Sequence, residues 1–218
     1  DDLGTPMCAG LGGSWAVRLV QPATISPLGQ PWDLQLYDLF LAKLSTDGAR
    51  MELRFCNQDV SIFADGEPLT LGQPKTPQAL KDALYATPFE VPVTGTSLDS
   101  TQLAWLWGVQ NLADPLNDAL PTKQDFATSD KDFDQDNDGN PGVTVDVVTP
   151  AGKRYMVRRA KLSFGTGAMT IDNKWLTGKL SSQVEEIALG ATNSQLETAA
   201  PLTMKDDQVV FQFRCVGA

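Results

Sequence analysis

The chain has 218 residues, 27 acidic against 17 basic side chains, a net charge of −10 and no histidine. A field of that sign disfavours nucleic acid and anionic membranes, because phosphate binding needs a basic face, and the lack of histidine removes Ser-His-Asp, Cys-His and His-metal chemistry. No apolar run approaches the ~18 residues of a membrane-spanning helix, and the length suits one β-rich domain over residues 1–218 with a sizeable core.

The start, Asp1-Asp2-Leu3-Gly4 without an initiator Met, reads as a processed or trimmed form. Residues 14–20 and 32–44 alternate apolar with polar, as half-buried strands do. Asp47-Gly48 marks a hairpin turn and residues 51–56 return. Residues 76–87 are the best helix segment, with Thr76 as N-cap, Pro77 at the first helical position and Leu80, Ala83 and Leu84 on one stripe. Residues 89–94 resume an extended pattern in which Pro92 argues for an edge. Residues 98–120 fit no period and read as irregular, with room for one short helix. Further strands are expected over 143–149, 153–164, 168–171, 175–180, 184–189 and 208–215, with a turn at Pro150-Ala151-Gly152. Eight to ten strands in one chain predict a mainly β fold, an antiparallel meander barrel or a sandwich, with one short helix and long inserted loops. No internal repeat is evident.

The richest stretch chemically is Asp132-Phe-Asp134-Gln-Asp136-Asn-Asp138-Gly139-Asn140, with carboxylates at every second position followed by glycine. On a tightly turning loop this alternation aims oxygens at one point, which suits a hard cation such as calcium, and Gly139 permits the bend. The stretch resembles the D-x-[DN]-x-[DN]-G calcium loop of EF-hands, with Asp134, Asp136 and Asp138 at the first, third and fifth positions. That resemblance implies a backbone carbonyl ligand from Asn140. The twelfth position, a bidentate Glu in the family, is Val145, so Asp132, Asp146 or a distant acid would have to complete the shell. The β-branched run after it reads as a strand, so the acidic loop, near 130–142, is spliced between non-helical elements.

Cys8, Cys56 and Cys215 are too few and too dispersed for a zinc site. An oxidising compartment would permit one disulfide, with all three pairings open. Together with a calcium loop, which tolerates weak affinity where calcium is millimolar, this points to a secreted, periplasmic or cell-surface setting. Glu185 and Glu186, adjacent on a strand, face opposite ways and read as solvated surface acids. No catalytic residue can be nominated.

Gly13-Ser14-Trp15 at the entry to the first strand and Arg214 on the last strand resemble the lipocalin (calycin) pattern. The resemblance implies that the Trp15 indole caps the floor of a barrel with the Arg214 guanidinium stacked over it, and that the interior takes an apolar small molecule. Trp105, Trp107 and Trp175 would line such a cavity, or else belong to an aromatic core. The expected function is that of a calcium-stabilised, non-enzymatic binding or structural protein. Its alternatives are a carrier of an apolar small molecule and a self-assembling surface subunit with a protein partner at its strand edges.

Overall fold

A computed structural model describes residues 8, 11–26, 31–64, 66–69, 75–94, 98, 102–125, 128–147, 152–169, 175–198, 202–205 and 208–217. It is mainly β. Among these residues one antiparallel sheet of twelve strands carries a single short α-helix, α1 (Gln78–Ala86). The strands are β1 (Ser14–Ile25), β2 (Trp32–Leu44), β3 (Arg50–Ala64), β4 (Glu67–Leu69), β5 (Phe89–Pro92), β6 (Leu103–Trp107), β7 (Val143–Val147), β8 (Gly152–Phe164), β9 (Ala168–Met169), β10 (Trp175–Ala191), β11 (Leu202–Met204) and β12 (Val210–Gly217). The main path runs β4-β3-β2-β1-β12-β10-β8-β6, with β5 on β3, β7 on β8, β9 on β10 and β11 on β1. No helix among the described residues is long and apolar enough to cross a membrane.

Alternation explains the long strands. Trp15, Val17 and Leu19 of β1, Phe40 and Ala42 of β2, Met51, Leu53 and Phe55 of β3, and Phe211 and Phe213 of β12 are buried in one main core, while their strand neighbours point away. At the Leu39/Phe40 step the register with β3 shifts by one residue, a bulge that keeps both Phe40 and Phe55 inward. The two predicted strands at 175–180 and 184–189 are one, β10, because Ser181, Ser182 and Gln183 continue the ladder with β8.

Residues 103–107, expected to be irregular, form β6, with both tryptophans inward and buried. Two aromatics at i and i+2 are a half-buried strand too short for a periodicity test. Residues 109–125 contain turns and no helix; Val109 and Leu120 pack on Val157 and Leu189 on the outer face of β8 and β10. Arg159, buried beneath this segment, donates to the carbonyls of Pro115 and Asp118 at 3.2 and 2.6 Å and to Glu185. The helix begins one residue later than expected, with Pro77 as N-cap and no side-chain cap, and buries Leu80 and Leu84. Pro92 does lie at an edge, since β5 pairs with β3 alone. The turn expected at Pro150-Ala151 and the strand end at Ile171 fall outside the described residues.

The sheet curls so that its far ends meet across the core. Phe40 of β2 and Phe55 of β3 contact Trp105 of β6 at centroid separations of 5.2 and 5.6 Å. It does not close into a barrel. Phe89 of β5 and Trp105 of β6 pack at 6.1 Å, yet no ladder joins their strands, leaving a seam. Strands β1 and β12 are antiparallel neighbours, and a disulfide joins Cys8 to Cys215, leaving Cys56 free and exposed. The Trp15 indole is wholly buried and donates to the carbonyls of Leu11 and Gly12. Arg214 does not stack on it. Its guanidinium lies over Trp175 on the opposite face, because adjacent positions on β12 face opposite ways and Cys215, not Arg214, is the partner of Trp15 in the ladder.

Candidate metal centre and interior cavity

The acidic loop is sewn to the end of β6 before it enters β7. Val109 and Asp132 form a β-bridge, the Gly108 N–H donates to Gln135 Oε1 at 2.6 Å, and Phe133 N–H donates to the Gly108 carbonyl at 3.3 Å. Backbone meets backbone here: a Cβ on Gly108 would lie 2.6 Å from the Gly142 Cα, and Gly108 has φ +67°. These anchors fix both ends, so the intervening residues must turn within a short span. Gly139, at φ +84°, supplies the bend expected of it.

The turn brings Asp134, Asp136 and Asp138 together, with one carboxylate oxygen from each lying within 4.8 Å of the others. Oxygens around one cation at ~2.3–2.6 Å sit at such separations. Asp134 accepts from the backbone N–H of Asp138 and Gly139 at 3.0 and 2.8 Å. Asp138 accepts from the backbone and side-chain amides of Asn140 at 2.9 and 3.0 Å. Asp136 is buried, and its Oδ2 accepts from the Thr144 N–H at 3.0 Å while Oδ1 has no hydrogen-bond partner. Burial, with the Asp138 charge adding to it, raises the Asp136 carboxyl to about 6 against the pull of the Thr144 N–H. At Asp138 desolvation pushes upward too, but contacts from Thr144 and Asn140 and the Lys153 charge outweigh it and hold the carboxyl below its ordinary value.

Asp132 is not part of this cluster. It is buried in the bridge to Val109, with both carboxylate oxygens unpartnered. Asp146 also stands outside the cluster, held in β7 by a two-way backbone bridge to Lys75. The donor set is therefore three carboxylates; Asn140, expected to add its carbonyl, is placed beside them by its backbone and side-chain amides on Asp138. Oxygen-only ligands and a partly preformed turn fit a hard cation.

The interior holds a second feature, a partly open cavity of about 260 Å³. Leu34, Leu36, Val60 and Ile62, part of a small apolar cluster at one end of β2 and β3, form one wall. Trp107, Arg154, Arg158 and Glu186 face it from β6, β8 and β10. Glu185 and Glu186 do point to opposite faces. Only Glu185 is exposed, however; Glu186 turns into the cavity instead of solvent. Trp105 lies outside this cavity, in the aromatic core and beside a more open hollow along the seam. Trp175 is 40% exposed and borders neither.

From Gln58, which lines the cavity, a polar belt crosses the interior. Ser182 donates to Gln21 Oε1, Gln21 Nε2 donates to Asp38 Oδ2, and Gln58 Nε2 donates to Asp38 Oδ1 at 2.6 Å. Burial raises the Asp38 pKa, opposed by the Arg158 charge and the two amides. No sequence signal flagged this belt, because single polar residues inside long alternating strands do not disturb the pattern.

Comparison of the chain with protein-family models, curated proteins and solved structures returns no match. The functional reading therefore stands on the site geometry.

Proposed function

We propose that the chain is a calcium-stabilised, non-enzymatic binding protein of a secreted or cell-envelope setting. The observation that carries this reading is the convergence of Asp134, Asp136 and Asp138 around a buried, unpartnered Asp136 oxygen. Three carboxylates held this close repel one another, and a divalent cation removes that cost while ordering the entry to β7. The Cys8–Cys215 disulfide supports an oxidising compartment.

Thermal unfolding in excess calcium, in chelator, and in magnesium as a control for charge tests it. At ~100 times its dissociation constant, calcium adds about 2.7 kcal/mol. Asp136→Ala should remove that increment. Equal melting temperatures in all three conditions would overturn the reading.

A second reading, carriage of an apolar small molecule, is favoured by the interior cavity. Its volume of about 260 Å³ lies just below the roughly 300–1,000 Å³ of drug-sized ligand pockets, which suits a small, slender ligand.

A further inference from the structure

The cavity walls are not uniformly apolar, and their polar members share one character. The Arg158 side chain is 4% exposed and that of Arg154 13%. Both reach for the same acid, Glu186, at 3.7 and 3.8 Å, which is beyond hydrogen-bond length. The Nε of each arginine, the Nη2 of Arg154 and the indole Nε1 of Trp107 are buried with no acceptor. Asp38, the other acid whose charge reaches Arg158, already has an oxygen engaged by each of two glutamine amides. Buried donors without acceptors are costly, at about 1–3 kcal/mol each and more for charged groups. This site collects four such atoms beside an apolar wall.

Resting on the carrier reading, we propose that the cavity binds an anionic amphiphile, a carboxylate whose apolar tail lies along Leu34, Leu36, Val60 and Ile62 and whose oxygens are held by Arg154 and Arg158. A carboxylate supplies the acceptors that Glu186 alone does not, and a guanidinium fork matches it in two-point geometry. Arg158 is prepared for this: its guanidinium is held 4.6 Å from the Trp107 ring centroid, so little side-chain freedom is lost on binding. The tail meets the side chains least able to bind water, which gives the site a polar and an apolar end.

The test titrates the full chain with decanoate below its micelle-forming concentration and, in parallel, with decanol, read by tryptophan fluorescence and calorimetry. Decanoate should bind at least about tenfold more tightly than decanol, and Arg158→Met should abolish that preference while decanol still binds. Because removing a buried arginine can impair folding, Glu186→Gln provides an independent arm. It frees both arginines from their one shared acid and should strengthen decanoate binding without affecting decanol. Equal affinity for the two probes would overturn the anionic head group and leave the carrier reading standing. Binding of neither would overturn both, and weaker decanoate binding by Glu186→Gln would overturn the assigned role of the arginines.

Discussion

Asp136 accepts a hydrogen bond from the backbone N–H of Thr144, eight residues further on, at 3.0 Å, and this contact ties the centre of the acidic loop to β7. The same carboxylate therefore serves the strand with one oxygen and leaves the other without a hydrogen-bond partner.

That arrangement sets a pH dependence. The Asp136 carboxyl is raised from 3.8 to about 6 in the ion-free fold, so the folded state holds its proton more tightly than the unfolded chain does. Its contribution to stability is fully present below pH 3.8 and is lost as pH rises through about 6. In chelator, this residue should make the protein more resistant to urea at pH 5 than at pH 7, and Asp136→Asn should reduce the difference. With calcium bound the order reverses for this group, because protons compete with the ion. Urea midpoints at the two pH values, with and without calcium, check both signs.

The glycines of the loop should differ in their sensitivity. Gly108→Ala forces a Cβ into the Gly142 backbone at positive φ, whereas a Cβ on Gly139 meets nothing within 4 Å. Gly139→Ala should cost only the backbone term for an L side chain at positive φ, about 1–2 kcal/mol, and Gly108→Ala distinctly more. Denaturant midpoints of the two variants in chelator provide the comparison.

Reduction of Cys8–Cys215 releases a link across 207 positions of sequence. The protein should lose about 2–5 kcal/mol, visible as a lower melting temperature in reductant. Cys56→Ser should change little, since that thiol is free and exposed.

The tryptophans should separate in the same way. Trp105→Ala opens the aromatic core where Phe40, Phe55 and Phe89 meet and should cost about 3–5 kcal/mol. Trp175→Ala, at a side chain that is 40% exposed and carries the Arg214 guanidinium, should cost distinctly less than Trp105→Ala. Acrylamide should quench the wild-type fluorescence in part, and Trp175→Phe should lower the accessible fraction, leaving the share of the half-buried Trp32.

The bounds of β2 were legible because Leu34, Leu36, Phe40 and Ala42 recur at every second position, with Asp38 the one polar residue on that face, and the Asp134-Asp136-Asp138 cluster was legible because its spacing is local. The strand β6 was not, being five residues long and stabilised by aromatic partners distant in sequence. The place of Arg214 was missed for a related reason: a motif identifies two residues, while the ladder register decides which face each occupies. The cavity arginines left no trace, since Arg158 and Arg159 are adjacent and only pairing with β6 and β10 decides which turns inward.

The belt of Ser182, Gln21, Asp38 and Gln58 bears on how the chain finds its alignment. A strand that slides by one residue against its neighbour exposes its apolar face and is rejected at once. A slide by two keeps every apolar side chain inside, and ordinary alternation offers no protection against it. Here a slide of β2 against β3 by two would set Asp38 opposite Val60 or Cys56 in place of Gln58, leaving one oxygen of a buried carboxyl without its amide. The belt is a registration mark, penalising the one class of misalignment that hydrophobicity alone permits.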